Sequence, residues 1–183
     1  MIIRQARKEE ARAIARLIMI AMNYDCCKNF AGEHHSLQDF EDMMTHLVAQ
    51  EHSQYSYLNT IVAEEDGDVV GICTSYDGGR LHELRRAFIK AAKEYLERDF
   101  SGMDDETQAG EWYIDSLAVS ADYRHRGIAT MLLKALIRQH KPLGLLVDEG
   151  NPKAERLYAS LGFKFANYTS WGGHGMKHLV MAE

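Results

Sequence analysis

Residues 111–134 constrain the chain more than any other stretch. Glu111-Trp112-Tyr113-Ile114-Asp115-Ser116-Leu117-Ala118-Val119 is rich in aromatic and aliphatic side chains and predicts a strand. Beyond Ser120–Tyr123 and the string Arg124-His125-Arg126-Gly127, residues Ile128, Leu132, Ala135 and Leu136 recur at helical spacing. A strand therefore feeds a helix through a short basic turn. The first N–H groups of such a helix have no carbonyl partner within it. With the positive end of the helix dipole, they make the mouth of the turn a cradle for phosphate. Gly127 has no Cβ and lets a bound group approach the backbone, and the small Ala129 keeps the same surface low. Arg124 and Arg126 add forked, permanently charged donors suited to phosphate oxygens.

The string Arg124-His125-Arg126-Gly127-Ile128-Ala129, following a strand that ends Leu117-Ala118-Val119, resembles the acyl-CoA-binding motif Q/R-x-x-G-x-G/A of the GNAT acetyltransferase superfamily. A second stretch, Asn151-Pro152-Lys153-Ala154-Glu155-Arg156-Leu157-Tyr158 followed by Leu161-Gly162-Phe163, resembles that family's next motif at the expected distance. The resemblance implies an α/β (α+β) fold, a single GNAT-type domain over residues 1–183. Its mixed, mostly antiparallel twisted sheet would have six to seven strands flanked by helices. It also implies an acyl-CoA-dependent N-acetyltransferase, with acetyl-CoA as cosubstrate and a primary amine of a small molecule or peptide attacking directly in a ternary complex. The expected binding residues are Leu117, Val119, Arg124, His125, Arg126, Gly127, Ile128, Ala129, Thr130 and Asn151. By resemblance, the amides from Arg126 to Thr130 hold the pyrophosphate. Leu117 and Val119 pair with the pantetheine arm like an added strand, and the Val119 amide faces the thioester carbonyl. Tyr158 matches the family's general acid toward the departing sulfur, and a phenol that is protonated at neutral pH can supply that proton.

Tyr113, Asp115 and Leu117 alternate on one face of the strand, so Asp115 points the same way as the residues preceding Val119. An acidic residue at this place occurs in polyamine-acetylating relatives, where it helps strip the proton from the amine. Glu111 is the second candidate base, and a water relay, with Asp115 anchoring the ammonium, is the third arrangement.

The remaining composition excludes more than it assigns. With 183 residues and 46% hydrophobic content, the chain can bury a substantial core as one domain. No apolar run reaches the roughly 18 residues of a membrane span, and Met1–Gln5 lacks the apolar region of a secretory signal, so a soluble, cytoplasmic protein is expected. Cys26, Cys27 and Cys73 lack C-x-x-C spacing, and the adjacent His34 and His35 diverge, so no metal site is expected. A net charge of −6 disfavours nucleic acid as the main partner and agrees with a cationic amine. No G-x-x-x-x-G-K-[ST] or suitably placed G-x-G-x-x-G supports nucleotide binding. A non-catalytic acyl-CoA-binding sensor is the alternative class, against which the retained Tyr158 argues. The amine, the exact acyl donor and a homodimer are left open.

Along the chain, Ile2–Gln5 predicts a short strand and Ala11–Met22 an amphipathic helix, with a loop from Asn29 to Ser36. A helix through Leu37–Leu47 follows, with Ser36 as N-cap. Asn59–Glu65 and Asp68–Tyr76 predict a hairpin around Asp66-Gly67. Leu81, Leu84, Phe88, Ala91, Ala92 and Tyr95 share one face of a further helix inserted before the central strand, at about residues 80–100. GNAT relatives usually make this connection short. The inserted helix and the polar loop Asp99–Gly110 would form either a lid or wall over the acceptor site, or a packed surface helix or subunit contact. Leu143–Val147 predicts a buried strand and Pro152–Ser160 a helix capped by Asn151. Phe163–Thr169 and Gly175–Met181 predict a closing pair of strands joined by Ser170–His174.

Overall fold

The structure, a computed structural model, describes residues 1–182. Strands β1 (Ile2–Gln5), β2 (Thr60–Glu65), β3 (Asp68–Asp77), β4 (Trp112–Val119), β5 (Leu143–Asp148), β6 (Lys164–Trp171) and β7 (His174–Met181) form one sheet. Their order is β1-β2-β3-β4-β5-β7-β6. Every neighbouring pair is antiparallel except β4 and β5. The flanking helices are α1 (Ala11–Met22), α2 (Tyr24–Ala31), α3 (Leu37–Ala49), α4 (Leu81–Leu96), α5 (Ile128–Ile137) and α6 (Pro152–Ser160).

Two cores sandwich the sheet. On one face, Ile14 and Ile18 of α1, Phe40, Met43 and Leu47 of α3, and Phe88 of α4 pack with Val62, Ile72 and Ala118. On the other, Ile128, Leu132 and Leu136 of α5 pack with Val70, Ile114, Leu145 and Leu179, and Leu157 and Tyr158 of α6 border them. Helix starts follow local chemistry. The Ser36 hydroxyl accepts from the Asp39 N–H at 3.1 Å while the Asp39 carboxylate accepts from the Ser36 N–H at 2.9 Å, a reciprocal cap for α3.

Two elements depart from the sequence reading. The first helix is followed at once by α2, because Asn23 takes a φ of 66° and its side chain accepts from the Cys26 N–H, ending one helix and capping the next. Helix therefore runs to Ala31 through residues read as the start of a loop. At the other end, Ser170, Trp171 and His174 belong to strands, and only Gly172-Gly173, with φ of 59° and 79°, make the turn.

The inserted helix α4 is integral to the core. Leu81 and Leu84 pack with Tyr76 and Tyr113, while Phe88, Ala91, Ala92 and Leu96 join the α1–α3 side. Its apolar face is thus consumed by the fold, and it is the loop after it that reaches the inner face of the sheet.

The decisive irregularity lies in the pairing of β3 with β4. Thr74 stands opposite Ser116 and Ser75 opposite Ile114, so Asp115 has no partner and is the extra residue of a β-bulge. A bulge advances the side-chain phase by one residue. Trp112 and Ile114 below it, and Leu117 and Val119 above it, all contribute to the α5 side, whereas Tyr113 and Ala118 face the α4 and α1 sides. The expectation that Tyr113, Asp115 and Leu117 share a face is corrected: Leu117 is turned away from Tyr113, because the alternation is interrupted at Asp115.

β4 and β5 pair only at Trp112–Leu143 and Tyr113–Gly144. Beyond Tyr113 the strands diverge, and the sheet opens into a wedge.

Candidate active site

The wedge is set by register. The Ser120 N–H donates to the Val70 carbonyl at 2.8 Å, which makes Gly71–Val119 a non-hydrogen-bonded pair, and Cys73–Leu117 falls in the same phase. The N–H and C=O of Leu117 and Val119 therefore point away from β3, into the gap where β5 no longer follows. The Val119 carbonyl takes the Arg124 Nε at 3.3 Å. Its amide stays directed into the wedge.

Helix α5 begins across the same gap. Gly127, at φ 76°, is its N-cap residue and supplies no side-chain cap, and the helix's first backbone bond runs from the Met131 N–H to the Gly127 carbonyl at 3.0 Å. The amides of Ile128, Ala129 and Thr130 precede that bond and lack intrahelical partners. His125 also has positive φ, 62°, so the turn coils its amides inward as an anion-binding nest does. A Cβ on Gly127 would meet no protein atom within 4 Å, so the space left free there belongs to the cleft.

That cleft has a volume of about 520 Å³. Of the residues predicted to bind the donor, Leu117, Val119, Arg124, His125, Gly127, Ile128, Ala129, Thr130 and Asn151 line it, and Tyr158 lines its far wall. Arg126 does not. Its guanidinium lies over the Tyr123 ring at 4.9 Å, donates to the Asp122 carbonyl at 3.1 Å and stands 3.8 Å from Glu65, bracing the outside of the turn. Asn151 spends its side-chain oxygen on the Ala154 N–H at 3.2 Å and so fixes the start of α6. The sequence reading missed Ile20 and Ala21 at the end of α1, which close the cleft from a distant part of the chain, and Lys153, a cation one residue beyond the Asn-Pro pair.

Tyr158 stands edge-on to Phe163, with ring centroids 5.7 Å apart. Burial first, and the neighbouring Cys73 second, push its hydroxyl above the usual phenol range, so it stays protonated. Cys73 is itself buried and pushed up to about 12, an unreactive thiol.

Asp115 stands on the opposite face of β4. Its Oδ2 accepts from the Tyr76 hydroxyl at 3.0 Å and its Oδ1 from the Ser116 hydroxyl at 3.0 Å. Burial, reinforced by the nearby Glu106, pushes its carboxyl up to about 7, against the two hydroxyl donors and Arg85. Glu111 is differently placed. Its Oε1 accepts from the Thr107 hydroxyl at 2.7 Å and its Oε2 meets His178 Nε2 at 2.7 Å. The carboxylate crosses directly above Gly144, where a Cβ would lie 1.9 Å from Glu111 Oε2. Glu111 thus ties β4 across β5 to β7, its carboxylate held between Thr107 and His178. The residues around Asp115, namely Gln54, Tyr76, Arg85 and Glu106, carry no motif and are far apart in sequence, so only the fold assembles them.

Among the described residues, no group of His, Cys, Asp and Glu side chains is arranged to hold a metal ion, and no helix is long and apolar enough to cross a membrane. The site combines a splayed strand with free amides, an uncapped helix start facing them, a phenol on one side and a carboxyl on the other. Those features define the class as a coenzyme A-dependent acyltransferase fold. The model of the Acetyltransferase (GNAT) family matches residues 17–163, and the chain belongs to that family.

Solved structures agree. One of an acetyltransferase covers 100% of this chain and 99% of its own at 30% identity, with a TM-score of 0.83. An N-acetyltransferase from Staphylococcus aureus Mu50 covers 99% of this chain and 100% of its own at 28% identity, with a TM-score of 0.84. Diaminobutyrate acetyltransferase EctA from Paenibacillus lautus, solved with L-2,4-diaminobutyric acid and coenzyme A, shares the fold at 13% identity and a TM-score of 0.54, over 98% of this chain and 93% of its own. No curated protein matches the chain.

The cradle gives a first test. Gly127→Val forces a β-branched side chain into a left-handed backbone and fills the space above the helix start. It is expected to weaken acetyl-CoA binding at least about tenfold and to cost on the order of 1–2 kcal/mol of stability. Arg126→Ala, on the outside of the turn, is expected to change acetyl-CoA affinity less than about threefold. Calorimetric titration with acetyl-CoA reads both.

Proposed function

We propose that the protein is an N-acetyltransferase that moves the acetyl group of acetyl-CoA to a primary amine of a small molecule or peptide, by direct attack within a ternary complex. The observation that carries this reading is the bulge at Asp115. It sends the backbone groups of Leu117 and Val119 into the donor wedge and leaves a carboxyl of near-neutral proton affinity on the other face of the same strand.

The residues present fit the donor. The orphan amides from Ile128 to Thr130, with Arg124 and His125 around them, would hold the diphosphate. The edge of β4 would take the pantetheine arm as an added strand, and the Val119 N–H would donate to the thioester oxygen as negative charge develops there. A single donor of this kind is worth about 3 kcal/mol elsewhere. The thioester supplies the activated acetyl carbon.

The rest falls to side chains. Asp115, once ionised, takes a proton from the acceptor ammonium and leaves a free amine. The nitrogen–carbon bond forms and the carbon–sulfur bond breaks. Tyr158 gives its hydroxyl proton to the departing thiolate and regains one released by the nitrogen after attack. This reading places the enzyme in the cytoplasm, with its cosubstrate.

An acetyl-CoA-dependent screen of amine pools, read by a mass gain of one acetyl group on the acceptor, tests the proposal. Transfer to at least one amine is expected. Acetyl-CoA binding without transfer to any amine would favour a non-catalytic acyl-CoA sensor instead.

A further inference from the structure

The segment after α4 carries a second carboxylate to the inner face of β4. Glu106 is only 9% exposed and is paired with Arg85, itself 5% exposed. Arg85 is further fixed by Asp105 Oδ1 at 3.1 Å and by the carbonyls of Met103 and Asp104 at 3.3 and 2.8 Å. From Glu106 a polar chain runs to Asp115. Gln54 Nε2 donates to Glu106 Oε1 at 2.9 Å and to the Tyr76 hydroxyl at 3.2 Å, and that hydroxyl donates to Asp115 Oδ2 at 3.0 Å. The buried indole N–H of Trp171, from the β6–β7 hairpin, also faces Glu106 without reaching hydrogen-bond geometry.

We propose that Glu106 is a positioning residue of the acceptor site: anchored by Arg85 and joined to Asp115 through Gln54 and Tyr76, it selects a cationic amine and sets how firmly Asp115 keeps the proton it takes. The inference rests on the acetyltransferase reading for the role of Asp115. The charges favour it. The groups facing Asp115 are the phenols of Tyr55, Tyr76 and Tyr113, which burial keeps neutral, the Glu106 carboxylate, and Arg85 behind it. Asp115, Glu106 and Asp105 against the single Arg85 guanidinium leave an excess of negative charge once all three are ionised, which an arriving ammonium offsets. An amine bearing its own carboxylate beside the nitrogen meets repulsion there. Both oxygens of Glu106 are already partnered, one by Gln54 and one by Arg85. Held by Arg85 and by Gln54, which bridges to Tyr76 and so to Asp115, Glu106 acts through Asp115.

Without Glu106, Asp115 has lost a neighbouring like charge and ionises more readily. Carbon-13 NMR of protein labelled at the Asp and Glu carboxyls, with the Asp115 signal assigned by its loss in Asp115→Asn, reads this without turnover. The Asp115 midpoint is expected near neutrality in the native protein and lower by about one pH unit in Glu106→Gln. The acid limb of kcat/KM for the acceptor is expected to move down with it, and KM for acetyl-CoA to stay unchanged. The native protein provides a second readout that needs no variant to fold: the Asp115 curve should carry a smaller inflection where Glu106 titrates. A single-step Asp115 curve in the native protein, or an unmoved midpoint in Glu106→Gln, overturns the proposal. Absence of transfer to any amine by the native enzyme would instead overturn the acetyltransferase reading and leave the NMR result standing.

Discussion

Asp115→Asn is expected to lower kcat/KM for the acceptor by about 10²–10⁴-fold at pH 8, the usual range for loss of a positioned general base, and to abolish the acid limb of the profile. With a carboxyl held up at about 7, the native enzyme gains activity as pH rises through neutrality, since only the ionised form accepts a proton. A variant profile that retains a limb near 7 would assign that limb to another group. Stability should move the opposite way. The folded state holds the Asp115 proton more tightly than the unfolded chain, whose carboxyl has the ordinary value of 3.8. Between those two values each rise in pH therefore costs the native protein stability, and above about 7 the whole cost is present. The amide carries no such cost. Asp115→Asn should match the native protein in urea unfolding near pH 4 and exceed it by on the order of 3 kcal/mol at pH 8.5. Equal stability at both pH values would show that the carboxyl is not held up by the fold.

Tyr158→Phe is expected to lower kcat about 10²-fold while acetyl-CoA affinity changes less than about threefold, because the ring still packs on Phe163 and only the proton source is removed. The two variants separate by leaving group. A thioester whose thiol is more acidic needs less help at sulfur, so it should restore turnover to Tyr158→Phe and not to Asp115→Asn. Equal rescue of both would remove the division of labour between the two faces of β4.

The cleft at the start of α5 is legible in sequence because its parts are local. Arg124–Thr130 forms a turn and a helix start whose amides are orphaned by the rule of the α-helix, whatever packs behind. Asn151-Pro152 caps α6 as the pair implies. Arg126 shows the limit of that reading. A guanidinium on a long stem goes to whatever accepts it, here Tyr123, the Asp122 carbonyl and Glu65, and the last of these comes from a strand remote in sequence.

The acceptor side was only half legible. Residue type and a place before Val119 single out Asp115 in the sequence, but Leu117 lies on the other face of the strand. Period-two alternation holds only where pairing is regular, and an extra residue in β4 changes its phase. Nothing in Trp112–Val119 announces the bulge. It arises because Tyr113 must pack with Tyr76 on one side while Leu117 and Val119 must cover α5 on the other. Glu111 is the second candidate in sequence, and only the fold shows its carboxylate spanning Gly144 to reach His178.

By itself, the sequence determined the order of elements apart from α2, the basic turn with its orphan amides and the tyrosine of α6, since each depends on residues within a few positions of one another and on the hydrogen bonds that a helix end leaves unmade. Only the tertiary structure decided where β4 and β5 part, which way Asp115 turns, and that Gln54, Arg85 and Glu106 surround it. These follow from registers and burials that join distant segments, and their energies exist only once the sheet and both cores have closed together.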